Sequence, residues 1–236
     1  GVVVRTGQTE GAVDLCRLAG LSAAGVICEI LNDDGTMARL PDIRRFAAIH
    51  GLKIGTVANI IQYRLQNESH VKCIATARLP SRFGGAFTAQ VYCSTVDDGE
   101  HLVLTKGDID GEEPVLVRAH AEYLPGDVFA YTHRDTGGLL HASMERIAKE
   151  GKGVILYVRR QGRGAESLSE DEGAPASTNP AARLANFKDY GIGAQILRDI
   201  GVRKIRLLTN SPPRLPNLSG YGLEVVEVVP VAVNGK

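Results

Sequence analysis

The spacing of apolar positions changes character along the chain. In GAVDLCRLAG, residues 11–20, apolar residues recur at helical spacing and Gly20 closes the run. AGVICEIL, 24–31, is a run of strand length, apolar except for Glu29, and predicts a buried strand. NDDGTMARL then carries the Asp-Gly punctuation of a turn. PDIRRFAAIHG predicts a helix with Pro41 near its start and Gly51 just past its end. LKIGTVANIIQYRLQNE predicts a short strand followed by an amphipathic helix.

After Asn67 the pattern becomes β-rich. HVKCIATARLPSRFGGAFTAQVYCSTVDDGEHLVLTKGDIDGEEPVLVRAHA alternates strand-like runs with Gly/Asp turns and predicts antiparallel strands. A domain boundary falls near 68–72, which gives a first domain of 1–68 and a second of 69–236. GGLLHASMERIAKEG then predicts a helix and GVILYVRR a buried strand. QGRGAESLSEDEGAPASTNP lacks apolar periodicity and reads as a long mobile loop. DYGIGAQILRDIGV reads as a helix, IRLLTN as a strand ending in a turn, and LEVVEVVPV as a final strand. Strands first, then alternating helix and strand, predict an α+β or mixed α/β fold. LVRAHAEY and the final strand read as exposed β edges that need cover, which favours a homodimer.

Composition narrows the possible partners. Of 236 residues, 44% are apolar and 23% charged, ordinary for a soluble globular protein. Lys plus Arg and Asp plus Glu are both 27, so the net charge is zero. That excludes bulk attraction to nucleic acid or an anionic membrane. Cys16, Cys28, Cys73 and Cys93 form no CxxC and no zinc-ribbon spacing, and read as buried thiols in a reducing compartment. The start carries no signal-peptide pattern and no apolar run reaches the ~20 residues of a membrane span. The expectation is a soluble, cytoplasmic protein.

Candidate chemistry concentrates in EYLPGDVFAYTHRDTGG, residues 122–138, and in four later stretches. His120, His133, Asp135 and His141 are potential metal ligands close in sequence. On a strand His133 and Asp135 would point the same way, compatible with a shared, relocated divalent-metal site. Arg163 in QGRG is flanked by glycines that let backbone approach an anion, and its guanidinium offers a bidentate fork. Thr209 and Asn210 close the strand in LLTN, and Arg214 follows. Lys188 in ANFKDYG is a potential nucleophile if its pKa is depressed.

Two blocks resemble known families. Residues 1 to about 68, with GQTEGAVDLCRLAGLSAAGVICEILNDDGTMARLPDI, resemble the C-terminal part of 3,4-dihydroxy-2-butanone 4-phosphate synthase. Residues 72–233, with LVRAHAEYLPGDVF, GRG, DYGIGAQILRDIGVRKIRLLTN and GYGLEVVEVVPV, resemble GTP cyclohydrolase II. Their order is that of the bifunctional riboflavin-biosynthesis proteins. The first resemblance implies a packing or dimerisation segment. The synthase family's acidic motif is not among these residues, its His position is Gln8, and Glu29 is the one retained candidate acid or base. The second implies a purine nucleotide or related phosphorylated ligand and a homodimer. It places Arg118 and Glu122 around the nucleotide and Arg163, Thr209 and Arg214 near its phosphates.

The second resemblance also implies a zinc held by three cysteines, which activates the water that opens the imidazole ring of GTP. Tyr123, Arg134 and Thr136 stand at those three positions. Neutral Tyr and Thr are weak ligands and protonated Arg is none, so no zinc is expected. The family's Asp and Arg in a pattern like ADLRDYG are Asn186 and Lys188 here. The helix carrying a catalytic Tyr is replaced by SEDEGAPAST. The reading is a diverged, metal-independent activity, with His120, Glu122, Tyr123, His133 and Lys188 as candidate catalytic groups. A non-catalytic regulatory or assembly partner, or a cyclohydrolase with a rebuilt metal site, are the alternatives.

Overall fold

A computed structural model describes residues 1–96, 99–159, 180–210 and 218–232, with backbone only for 180–189. The chain separates into two compact units, Gly1–Glu68 and Ser69–Lys236.

In the first unit, α1 (Gln8–Leu18), α2 (Leu40–His50) and α3 (Val57–Asn67) fall where the apolar spacing placed helices. Thr56 starts α3 with a reciprocal cap: its Oγ1 accepts from Asn59 N–H at 3.1 Å, and Asn59 Oδ1 accepts from Thr56 N–H at 3.1 Å. Gly51 ends α2 at φ 64°, a left-handed position that favours glycine. Buried Asp14 on α1 ties the unit together. It accepts from Val2 N–H at 2.7 Å and from Arg64 Nη1 at 3.0 Å, while Arg64 Nη2 also reaches Glu68 at 2.6 Å. Hydrogen bonding to Glu68 outweighs burial and raises the Arg64 pKa further.

The strand expected over 24–31 does not form. Beyond one isolated bridge between Leu31 and Met37, no described strand of this unit supplies a hydrogen-bonding partner. Val26 is 101% exposed and Ile27 and Leu31 are exposed as well. An apolar run becomes a strand only where a neighbour completes its ladder. The short strand expected at 52–54 is absent for the same reason. The NDDGT turn does form, with Gly35 N–H donating to Asn32 O and Asp34 accepting from Thr36.

The second unit is a mixed α/β fold. Among its described residues a seven-stranded sheet runs β1-β2-β3-β5-β4-β6-β7. The strands are β1 (Val71–Ser81), β2 (Gly85–Ser94), β3 (Glu100–Lys106), β4 (Val115–Ala121), β5 (Gly153–Val158), β6 (Lys204–Leu208) and β7 (Glu224–Val229). β1, β2, β3 and β5 pair antiparallel, whereas β5, β4, β6 and β7 are mutually parallel. The expectation that LVRAHAEY lies on an edge is therefore corrected: β4 is central, between β5 and β6, and its consecutive buried Val115, Leu116 and Val117 are the mark of a strand covered on both faces. The final strand, β7, is an outer strand as expected.

Helices cover both faces of the parallel half. Short α4 (Leu124–Phe129) and α5 (Thr136–Glu150) connect β4 to β5. Met144 and Ile147 of α5 pack on Leu116, Ile155 and Leu208. α6 (Pro180–Asp199) leads into β6 and lies on the other face, where Gly193, Ala194 and Leu197 meet Val117, Leu156 and Leu207. No described helix is long and apolar enough to cross a membrane.

Candidate functional site

β4 hands the chain to α5 on one face, whereas α6 lies on the opposite face between β5 and β6. The crevice outside the C-terminal ends of these strands is where open parallel sheets bind ligands. His120 of β4 and Tyr157 of β5 sit opposite each other there, with ring centroids 5.3 Å apart. Period-two alternation puts Leu116, Arg118 and His120 on the same face of β4 as α5.

Asp127 of α4 organises this crevice. Its Oδ1 lies 2.8 Å from His120 Nε2 and accepts from Thr136 Oγ1 at 2.6 Å. Its Oδ2 accepts from Tyr157 Oη at 2.8 Å and from Tyr123 N–H at 2.9 Å. Burial by itself would raise the Asp127 pKa, but these hydrogen bonds outweigh it and hold the carboxyl well below the usual range. Tyr157 is pushed up, first by burial and then by its bond to that carboxylate. Arg118 is drawn down by burial, opposed by Asp127, and its Nη1 donates to Leu208 O at 3.0 Å.

Tyr123, Arg134 and Thr136 converge on one point above Gly126. A Cβ built on Gly126 would lie closer than 3.0 Å to Arg134 O, Thr136 Oγ1 and the Tyr123 ring together. Gly137 approaches Gly126 O equally closely, so α4 and the start of α5 touch backbone to backbone. Gly126→Ala is therefore expected to cost about 1–3 kcal/mol, the range for overpacking a tight contact, measured by urea unfolding.

These positions are filled by protein contacts. The Arg134 guanidinium lies 4.5 Å over the centre of the buried Tyr123 ring, and Thr136 is held by Asp127. A cation stacked on a phenol and a hydroxyl donating to a carboxylate do not fit zinc. Among the described residues no group of three or more His, Cys, Asp or Glu is placed to hold a metal ion. His133 and Asp135 do not lie on a strand. Asp135 is the N-cap of α5 and accepts from Gly138 N–H at 2.7 Å, while His133 is exposed with its ring 5.4 Å from that of Tyr131. His141 stacks on Phe83 at 3.7 Å.

The remaining predicted residues are spread around the crevice. Glu122 follows β4 and its N–H donates to Val158 O at 2.9 Å. Thr209 N–H donates to Val229 O at 3.0 Å, and the Asn210 carboxamide clamps both N–H and C=O of Val231. Lys188 belongs to α6, with its side chain outside the described residues. Arg163, Arg214 and the SEDEGAPAST stretch also lie outside them. Asp127 and Tyr157 went unnoticed in the sequence. Asp127 sits in an ordinary-looking Pro-Gly-Asp turn, and Tyr157 gains a role only once the register pairs it with His120.

The fold is a mixed α/β domain following a smaller helical unit. The chain belongs to the GTP cyclohydrolase II family, whose model matches residues 72–230. Residues 1–63 match the model of 3,4-dihydroxy-2-butanone 4-phosphate synthase. A riboflavin biosynthesis protein RibBA of Bacillus cereus is 47% identical over 100% of this chain and 62% of its own length. The RibBA of Aquifex aeolicus is 48% identical over 99% of this chain and 60% of its own length. The chain thus spans less than two thirds of these relatives. A crystal structure of RibBX from A. baumannii, titled a two-domain 3,4-dihydroxy-2-butanone 4-phosphate synthase, matches with a TM-score of 0.70 and 36% identity. That match covers 98% of this chain and 61% of the other.

Proposed function

We propose that the second unit is a metal-free member of its family that serves riboflavin biosynthesis by binding a purine nucleotide or related phosphorylated ligand at the β4/β5 crevice. The observation that carries this reading is the Arg134–Tyr123 stack at the converged zinc positions, beside a crevice that keeps Arg118, His120 and Glu122. Any reaction there uses side chains alone, with His120, Glu122 and Lys188 as the available groups. The phosphates fall to Arg163, Thr209 and Arg214, as the family resemblance implies. Calorimetric titration with GTP in the presence of a chelator tests it: binding that survives chelation is expected, and no binding overturns it. Arg163→Ala is expected to weaken that binding by about 1.5–3 kcal/mol, the range for a hydrogen bond to a charged group. Unchanged affinity removes Arg163 from the site. A homodimer belongs to the same proposal, and sedimentation velocity checks it.

A second reading has its own support. The solved relative RibBX is titled for synthase activity. A crevice without zinc then fits a non-catalytic companion to a synthase, regulatory or structural. Ligand binding without turnover favours this reading, and turnover in chelator favours the first.

A further inference from the structure

A groove of about 900 Å³ runs between α5 and residues 229–232, where the chain leaves the outer strand β7. Its helical wall is one stripe. Asp135, Gly138, Ala142, Glu145 and Lys149 recur at alternating spacings of three and four, with Arg146 beside them. That is the spacing of a seam on which another helix packs. The charges along it are little used within the protein. Glu145 and Lys149 have no ion-pair partner among the described residues, and Arg146 reaches only Glu150 of its own helix, at 3.9 Å.

The strand side of the groove is guarded against an added strand. Val226 is an extra residue where the register of β7 on β6 shifts, Glu224 and Glu227 are exposed along β7, and Pro230, which has no N–H, follows its end. A bulge, charges and a proline are the means by which outer strands are kept from pairing. A helix suits this groove better than an extended segment.

The charges select which helix. The stripe is acidic at its N-terminal end, at Asp135, and basic at its C-terminal end, at Arg146 and Lys149. Glu145 lies one turn before Lys149, the favourable orientation for a pair on one helix. Asp135 and Lys149 stand seven residues to either side of Ala142, and Gly138 and Arg146 stand four to either side. An antiparallel copy turned about a two-fold axis at Ala142 therefore sets Asp135 against the partner's Lys149, and Gly138 against the partner's Arg146. Ala142 meets its own equivalent. Nothing larger than a methyl group stands at Gly138 and Ala142, so the two helices can pack closely there.

We infer that this groove is the contact surface between two copies of the chain, with α5 of each copy seated antiparallel in the groove of the other. The inference rests on the homodimer proposed above, and gives it a helical surface in place of paired β edges. Asp135 stands between Arg134 and Thr136, so its contact with the partner's Lys149 bears on the segment that fills the converged positions above Gly126.

Sedimentation velocity of the full chain, with two charge variants, tests it. Wild type is expected to dimerise. Lys149→Glu sets acid against acid twice, by symmetry, and is expected to weaken dimerisation about tenfold. Asp135→Asn keeps a capping side chain and removes only the charge, and is expected to weaken it about threefold. Circular dichroism and melting of the monomeric variants should match wild type at equal dilution, which separates a lost contact from a lost fold. Ala142→Cys places one thiol of each copy at the axis, where a disulfide can span the crossing. Mild oxidation is expected to link it as a dimer well above the background that wild type shows from its exposed Cys28. A dimer whose affinity Lys149→Glu leaves unchanged overturns this surface and leaves the homodimer standing, as does Ala142→Cys that links no better than wild type. A monomeric wild type overturns both, and leaves ligand binding at the crevice to the calorimetric titration.

Discussion

Asp127→Ala is expected to remove about 3–5 kcal/mol of the second unit's stability, the range for taking one member out of a buried charged network. The carboxylate accepts from His120, Thr136, Tyr157 and the Tyr123 amide, and its side chain is 4% exposed. Alanine leaves these buried and half-buried donors without their acceptor. Urea unfolding, followed by the signal of the second unit, measures the loss. A change below about 1 kcal/mol would mean the network is not formed in solution.

The same carboxylate gives that stability a pH dependence with a definite sign. Its folded pKa lies below the unfolded value of about 3.9, because the donated hydrogen bonds outweigh burial. A depressed carboxyl stabilises the fold fully above the unfolded pKa. The contribution falls away as pH drops below about 4 toward the folded value. Wild-type stability should therefore decline on the acid side more steeply than that of Asp127→Asn. Parallel acid limbs for the two proteins would contradict the assignment.

A second large effect is expected from reversing three substitutions at once. Tyr123→Cys, Arg134→Cys and Thr136→Cys together place three thiolates around the point above Gly126 on which these positions converge. Thiolates are strong zinc ligands, and three protein ligands leave the open fourth position typical of catalytic sites. The triple variant is expected to bind one zinc per chain, measured by elemental analysis after gel filtration. Its melting temperature should rise with zinc and fall with chelator, because metal binding is coupled to folding. GTP ring opening is not expected to return, since Asn186 and Lys188 still occupy the positions of the family's Asp and Arg. A triple variant that takes up no zinc would show that the positions do not converge as described.

Much of the second unit was legible in the apolar pattern. β5, α5 and β6 fall where period and end signals placed them, because each carries a buried face and α5 also its own terminator, Gly151 at φ 81°, and β7 falls there too, although only Val229 of it is buried. Pairing was not legible. Nothing local tells the run VLVRAHA that β5 and β6 flank it, so a central strand read as an edge. The 24–31 block failed for a related reason: apolar content signals strand capacity, while a ladder needs a partner. Within the site, residues matched to a family motif were legible singly. Their meeting was not. Tyr157 follows three buried apolar residues, Val154, Ile155 and Leu156, and its phenol reaches Asp127 only through the register of β4 on β5. Arg134 and Tyr123 are eleven residues apart by number, and the backbone contact at Gly126 and Gly137 is what stacks one on the other.

The central claim is that protein contacts have taken the place of the metal. Elemental analysis of the purified chain, paired with a GTP ring-opening assay with and without chelator, tests it most directly. The account predicts no stoichiometric zinc and no chelator-sensitive ring opening. One zinc per chain together with chelator-sensitive ring opening would contradict it, and would mean that a rebuilt metal site serves the family's original reaction.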